Sequence, residues 1–144
     1  MVLTSAKAQE LSMPSTHNAL KAGSPTQVQG RLAEAEACEL LISAGHRIIA
    51  QNYLCRTGEI DIISVNHYGK LVFTEVRWRS STEFGGAIAT INAQKRSKLI
   101  KTAAFFLRQN PHYATFSSRF DVIAFNGKPP HWQHIWLRGA FSAF

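Results

Sequence analysis

The sequence predicts one α/β domain, in which a mixed β-sheet is flanked by helices. Two segments place apolar residues at helical spacing, and five others contain the apolar and β-branched runs typical of strands. Their order along the 144-residue chain is helix, three strands, helix, two strands. A chain of this length can bury one sizeable core and is short for two, so we expect a single domain.

The predicted elements follow one another with short connections. Residues 29–45 form the first helix, which ends at a glycine, and "HRIIAQNYL" is the first strand. "GEIDIISVNHYGKLVFTEVRWR", residues 58–79, predicts a β-hairpin. Residues 90–108 form the second helix, and "RFDVIAFNG" and "HWQHIWL" are strands separated by the turn "NGKPP".

The N-terminal segment differs from the rest in composition. Residues 1–28 are rich in Ser, Thr, Gln, Ala and Pro and show no sustained periodicity, which predicts a flexible tail. Residues 29–144 are then the folded domain. No apolar run approaches the ~20 residues of a membrane span, and no secretory signal is visible, so we expect a cytoplasmic protein without a membrane partner.

The net charge of +7 is unevenly distributed along the chain. Residues 1–83 carry eight Lys or Arg and eight Asp or Glu, whereas residues 84–144 carry eight basic residues and the single acid Asp121. A basic half beside a neutral half favours a polyanionic partner, with nucleic acid ahead of a membrane surface.

Candidate nucleic-acid contacts come from this basic half. Lys95, Lys98 and Lys101 recur on one side of the second predicted helix. Arg119 shares a strand face with Asp121, and it either pairs with that acid or lies beside the acidic residues of the hairpin. The tryptophans either stack on bases or belong to the core; they are Trp78, Trp132 and Trp136.

Each strand of the hairpin carries a carboxylate in an otherwise apolar run. If the turn occupies residues 67–69, Asp61 lies opposite Glu75 on the neighbouring strand, and Arg77 shares the face of Glu75. Like charges directly opposite each other are unfavourable, so two such acids need a cation or a shared proton.

Two interpretations of the acidic pair remain open from spacing alone. In the first, Arg77 and Arg79 neutralise the acids in an ion-pair cluster. In the second, the acids bind a divalent metal such as Mg²⁺, which prefers carboxylate oxygens and retains several waters. Such an ion can activate water for attack on a phosphodiester.

Several stretches together resemble the PD-(D/E)XK nuclease superfamily and, more narrowly, the bacterial YraN-like family of uncharacterised proteins. The "GEIDII…VFTEVR" block is the specific part of the resemblance, which extends over residues 30–125. The other matching stretches are "GRLAEAEACELL", "QNYLCRTGEIDII", "VFTEVRWR", "FGGA", "QKRSKLIKTA" and "RFDVIAF". The resemblance implies that residues 29–144 form an endonuclease-like, nucleic-acid-binding domain with a restriction-endonuclease-like fold. It also implies a Mg²⁺- or Mn²⁺-dependent hydrolase that acts on DNA or RNA.

The resemblance also implies roles for individual residues. Asp61 and Glu75 would be metal ligands, together with the backbone carbonyl of Val76. A helix glutamate would support them; helical periodicity leaves both Glu34 and Glu36 open, and the family pattern selects Glu34.

The sequence departs from the superfamily pattern at Arg77, which stands where the superfamily has a lysine. Arginine stays protonated, so it stabilises charge but does not act as a base, and Lys95 from the second helix is a candidate to supply the amine. The leading hypothesis is therefore a nucleic-acid-binding protein that hydrolyses phosphodiester bonds. The alternatives are a catalytically inactive nucleic-acid-binding module of the same fold and a protein-interaction domain with a structural ion-pair cluster.

Overall fold

A computed structural model of the chain describes residues 23–80 and 86–142. The helices are α1 (Pro25–Ser43) and α2 (Ala93–Gln109), and short 3₁₀ helices cover Ile88–Thr90 and Pro111–Thr115. The strands are β1 (Arg47–Cys55), β2 (Gly58–Val65), β3 (Leu71–Arg79), β4 (Ser118–Asn126) and β5 (Gln133–Phe141). Within these ranges, no helix is both long and apolar enough to span a membrane.

The strands form one five-stranded sheet in the order β1-β2-β3-β4-β5. The β3–β4 pair is parallel and the other three pairs are antiparallel, so α2 lies in the crossover between β3 and β4. A parallel pair requires a crossover of this kind. The prediction of an α/β domain with a mixed sheet and flanking helices, in this order of elements, is confirmed.

The start of α1 corrects the predicted boundary of the tail. The helix begins at Pro25, four residues before the predicted start, so residues 25–28 are helical. Ser24 accepts a hydrogen bond from the backbone of Gln27, whose side chain accepts one from the backbone of Ser24, and Pro25 occupies the first turn. This capping box and the helix-compatible proline account for the early start. Residues 1–22 lie outside the described residues.

The two helices pack on opposite faces of the sheet. The core cluster on the α2 face includes Phe73 and Phe106, which are nearly fully buried. The cluster on the α1 face includes Leu41, Ile62 and Ile123. Because side chains alternate between faces along a strand, each strand contributes to both clusters.

The hairpin adopts the predicted register. Ile62 pairs with Thr74 and Val65 pairs with Leu71, as the turn at residues 67–69 requires. The side chain of Asn66 accepts hydrogen bonds from two backbone N–H groups of the turn, and Gly69 has a φ of 83°. A left-handed glycine in a three-residue loop is the feature on which the predicted register depended.

Candidate functional site

The acidic pair, Asp61 and Glu75, lies where β2 and β3 separate. The β2–β3 ladder ends at the pair of Ile62 and Thr74, and each acid is the next residue of its strand beyond that pair. From there β2 remains paired with β1, and β3 remains paired with β4. The backbone N–H of Val76 donates to Oδ2 of Asp61 over 2.8 Å, so the carboxylate occupies the position that a ladder partner would otherwise take.

On the β1 side of β2, Asp61 lies across from Asn52, a residue with an irregular backbone conformation. Asn52 has a φ of 51° and stands between residues that pair regularly with β2. Asparagine tolerates this left-handed conformation better than most residues. At the same level the alternation of side chains along β2 is interrupted, since Ile60 packs in the α2-side cluster and Ile62 in the α1-side cluster. Asp61 therefore occupies a local distortion of the sheet.

Burial and mutual repulsion dominate the electrostatics of the acidic pair. Burial, then the charge of Glu75, raises the pKa of Asp61 to about 8, and the N–H of Val76 opposes the rise. Burial also raises the pKa of Glu75, which is 4% exposed, against the opposing charges of Lys95 and Arg77. Two carboxyls in this environment cannot both be ionised cheaply without a cation or a shared proton.

Two cations contact the same oxygen of Glu75. Arg77 Nη1 lies 3.3 Å from Oε2, and Lys95 Nζ lies 3.4 Å from it. Arg77 also donates to Oγ1 and the carbonyl of Thr90, over 2.7 and 3.1 Å. Lys95 comes from the first turn of α2, where its N–H donates to the capping side chain of Asn92.

The other oxygen of Glu75 is different. Within the described part of the chain, Oε1 is buried and has no hydrogen-bond partner. No ion pair joins Asp61 to a cation of the described residues. The ion-pair interpretation therefore fits Glu75 through Arg77 and Lys95, but it leaves Asp61 and Oε1 of Glu75 without a compensating charge.

The available donors fit a hard divalent ion. Asp61 and Glu75 supply carboxylate oxygens, and the carbonyl of Val76 lies on the same side of β3 as its N–H, toward Asp61. Among residues 23–80 and 86–142, no group of three or more His, Cys, Asp and Glu side chains converges. Mg²⁺ uses one or two carboxylates and completes its shell with water, so this smaller set is compatible with it.

The structure separates the two helix glutamates that periodicity left open. Oε1 of Glu34 accepts a hydrogen bond of 3.0 Å from the amide of Asn52, and its charge contributes to the raised pKa of Asp61. Glu36 instead accepts from the indole N–H of Trp132, in the core on the α1 face. Glu34 also lines an open cleft of about 820 Å³ with Glu59 and Arg31, so this glutamate is the one near the acidic pair.

The remaining predicted basic residues lie in three different places. Lys98 and Lys101 are exposed on α2. Lys98 lies over the start of β2, because a Cβ added at Gly58 would be 3.8 Å from the Cβ of Lys98. Arg119 forms a two-pronged ion pair with Asp121, which is the first of its two predicted placements. Arg79 is exposed at the end of β3 and pairs with neither acid.

Each tryptophan is anchored through its indole N–H. Trp78 donates to the carbonyl of Gly127, Trp132 to Glu36 and Trp136 to Asp121. All three pack against the cluster on the α1 face. The side of each indole ring that faces this cluster is therefore packed, as the core interpretation predicted.

Sequence reasoning missed two residues that shape the site. Thr90 holds the guanidinium of Arg77, and Asn52 links β1 to Glu34. No motif marks Thr90, because its contact depends on how the 3₁₀ turn folds back on β3. Asn52 carried a weak signal, since an asparagine inside an apolar strand indicates an irregular position.

Comparison with known proteins places the chain in a family. The profile of "Uncharacterised protein family UPF0102" matches residues 33–125. A UPF0102 protein of Psychrobacter sp. (strain PRwf-1) is 43% identical over 130 residues, covering 83% of this chain and 92% of the relative. One from Pseudomonas fluorescens is 40% identical over 119 residues, covering 82% and 96%. The chain belongs to the UPF0102 family.

Solved structures show weaker likenesses. A repair endonuclease from Pyrococcus abyssi matches with a TM-score of 0.39 and 13% identity, over 76% of this chain and 42% of that one. A structure described as an EndoMS–dsDNA2 complex matches with a TM-score of 0.34 and 18% identity, over 61% and 34%. The chain therefore spans less than half the length of either protein.

Proposed function

We propose that this UPF0102 protein binds nucleic acid and hydrolyses its phosphodiester bonds. It would hold Mg²⁺ or Mn²⁺ between Asp61 and Glu75, where the hydrolysis takes place. One observation carries the proposal: the half-buried Asp61 stands beside the buried Glu75, and the cations of the site reach one oxygen of Glu75 only. Burying such charge without compensation is expensive, and a bound divalent ion supplies the compensation.

The ligands would be the carboxylates of Asp61 and Glu75 and the carbonyl of Val76. When bound, a divalent ion polarises a phosphodiester and lowers the pKa of a coordinated water. Glu34 would contribute negative charge at the edge of the site and hold Asn52 in its irregular conformation.

Lys95 and Arg77 would have different roles. Arg77 is fixed by Thr90 and stays protonated, so it would stabilise negative charge on a phosphate without moving a proton. Lys95 is a flexible amine on α2 that already reaches Glu75. It would take the part that the superfamily resemblance gives to a lysine on the β3 strand.

The exposed face of α2 would bind the phosphate backbone. Lys98 and Lys101 follow Lys95 along the helix and carry no ion pair with another described residue. Lysines arranged in this way contact phosphates without reading bases, so the affinity should depend on salt more than on sequence.

The direct experiment is a cleavage assay on a panel of DNA and RNA substrates, including single strands, duplexes and branched junctions, with Mg²⁺ or Mn²⁺. We expect metal-dependent cleavage of at least one substrate, lost in Asp61→Asn and reduced in Lys95→Ala. Glu36→Gln is the matched control, since it neutralises a half-buried acid of α1 that faces Trp132 instead of the site. Cleavage that persists in Asp61→Asn would refute the assignment.

A second candidate is the inactive nucleic-acid-binding module. The observation that favours it is the fixed position of Arg77, whose guanidinium is held by Thr90 and Glu75. This candidate predicts salt-dependent binding to the same panel without cleavage under any metal condition. Restoring the superfamily residue with Arg77→Lys would then be expected to raise cleavage above background.

A further inference from the structure

A second polar pocket lies near the hairpin turn, away from the acidic pair. Its volume is about 280 Å³, just below the range of small-ligand sites. We name it the arginine pocket. Its principal residues are His46, His67, Tyr68, Arg119, Trp136 and Arg138.

A buried carboxylate organises the arginine pocket. Asp121 is 0% exposed, and its oxygens accept from Arg119 over 2.8 and 3.2 Å, from the indole of Trp136 over 2.9 Å and from the N–H of Gly139 over 3.0 Å. Four N–H donors satisfy this carboxylate, and they hold Arg119 of β4 in position relative to Trp136 of β5. The pocket is therefore preorganised, as a binding site requires.

Arg119 keeps donors for a ligand. A guanidinium has five N–H groups, and the contacts with Asp121 use two of them. Within the described residues, no other acceptor contacts Arg119, and its side chain is 23% exposed. The guanidinium thus presents an open edge to the pocket.

Aromatic surfaces accompany the cations. The guanidinium carbon of Arg138 lies 3.8 Å from the ring centroid of Trp136, a close cation–π stack. Tyr68 is 83% exposed at the hairpin turn, with its ring centroid 4.0 Å from that of His67. Exposed aromatic rings beside arginines form the stacking surfaces on which single-stranded bases bind.

The electrostatic balance of the pocket is positive. No carboxylate is among the described residues that line it, and Asp121 lies behind Arg119. Burial lowers the pKa of His46, and the charges of Arg119, Arg138 and His67 lower it further against the opposing effect of Asp121. The local potential therefore disfavours added positive charge and favours an anion.

The pocket is separate from the acidic pair. Arg119 pairs with Val72 at the start of β4, three residues before Glu75 on β3, and it lies on the α1 face. Glu75 faces α2, whose Lys95 it contacts. Ala44, which caps the C-terminus of α1 and lines the arginine pocket, comes ten residues after Glu34, a rise of about 15 Å along a helix.

We propose that the arginine pocket binds a phosphate of a nucleic acid strand, with Arg119 and Arg138 on the phosphate and an adjoining base stacked on Tyr68. This inference rests on the proposed nucleic-acid function and gives it a second contact point. It makes the pocket a positioning site that holds a strand while another part of it reaches Asp61 and Glu75.

The test measures binding of a fluorescently labelled six-nucleotide oligothymidylate to the full chain in EDTA, by anisotropy. We expect Arg138→Gln to weaken binding about tenfold, the loss expected for one charge-assisted contact. The matched control is Arg108→Gln, which removes another exposed arginine stacked on a ring, that of Phe105, in the last turn of α2. Equal weakening by both variants would overturn the pocket as the site.

Competition identifies the source of the phosphate. Unlabelled dTMP and inorganic phosphate should compete far more weakly than unlabelled oligothymidylate. If dTMP binds as tightly as the strand and with the same dependence on Arg138, a free nucleotide is the occupant and the strand assignment is wrong. Thermal unfolding of each variant verifies that the fold is retained.

The two proposals fail in distinguishable ways. Because EDTA removes divalent ions, the loss of oligothymidylate binding in Arg138→Gln is measured independently of any metal at the acidic pair. A protein that binds the strand through Arg138 but shows neither metal binding nor cleavage would refute the metal site alone. A metal-dependent nuclease insensitive to Arg138→Gln would refute the pocket alone.

Discussion

Asp61→Asn should abolish a metal-induced stabilisation of the protein while costing little in the absence of metal. Asparagine retains a carbonyl oxygen to accept the N–H of Val76, and it is neutral next to Glu75, as Asp61 largely is at neutral pH with its pKa raised to about 8. Without metal, the variant therefore keeps both the hydrogen bond and the charge state of the wild-type site. We therefore expect its metal-free stability to stay within about 1 kcal/mol of the wild type.

The size of the metal response follows from mass action. A ligand that binds only the folded state at 100 times its Kd stabilises that state by about 2.7 kcal/mol. For a domain of this size, each kcal/mol shifts the unfolding midpoint by roughly 4 °C. Saturating Mn²⁺ should therefore raise the midpoint of the wild type by about 10 °C and leave that of Asp61→Asn nearly unchanged.

Differential scanning calorimetry of both proteins, in EDTA and in a series of Mn²⁺ concentrations, measures both effects. Glu59→Gln is the matched control, because Glu59 is an acid of the same strand, two residues from Asp61, and is exposed. The control should retain the response to Mn²⁺. This separates binding at the acidic pair from a general effect of negative charge in β2.

The ion-pair interpretation predicts the opposite pattern. If the cluster is purely structural, Mn²⁺ should move the midpoint of neither the wild type nor Asp61→Asn. A metal-insensitive wild type would refute the metal site. A metal-sensitive Asp61→Asn variant would place the ion elsewhere.

Three further predictions concern other parts of the molecule. Replacing Lys98 and Lys101 together with glutamine should flatten the salt dependence of nucleic-acid binding by about two phosphate contacts, and an unchanged slope in a titration against salt would exclude this face of α2. Ser24→Ala should destabilise the protein by about 1 kcal/mol in urea, through loss of the N-cap of α1, and no loss would mean that the cap is dispensable. Burial lowers the pKa of His46 below 6.5, so the unfolded state binds more protons and stability should fall as pH drops below about 6.5. His46→Gln should reduce this acid-side loss in urea unfolding, whereas an identical pH profile would contradict it.

The hairpin was predictable because local rules fix it. The glycine of the turn sets the register, and the register places Asp61 and Glu75 at the same level of neighbouring strands. The predicted register is confirmed up to the last ladder pair before the acids. The separation of the strands beyond it was not predictable, because it depends on Asn52 and on the pairing of β3 with β4.

Contacts between helices and the sheet were not fixed by sequence patterns. Periodicity identified the apolar face of α2, but it could not show that Lys95 reaches Glu75, because that depends on how the helix is rotated over the sheet. The same limit left Glu34 and Glu36 equivalent until Trp132 and Asn52 were placed. Such contacts join residues far apart in sequence.

The early start of α1 could have been predicted from the sequence. Ser24, Pro25 and Gln27 form a standard helix-start signal, and the weak hydrophobic periodicity of the segment obscured it. The network around Asp121 is a different case. Its partner Arg119 was among the possibilities, whereas Trp136 and Gly139 join it only because β5 pairs with β4.

The most direct test of the metal site is a crystal structure of the protein grown with Mn²⁺, with anomalous diffraction data collected at the manganese edge. We expect an anomalous peak between the carboxylates of Asp61 and Glu75, within bonding distance of the Val76 carbonyl, and no such peak in Asp61→Asn. An empty acidic pair in crystals at saturating Mn²⁺, or a peak confined to the cleft beside Glu34 and Glu59, would contradict the proposal.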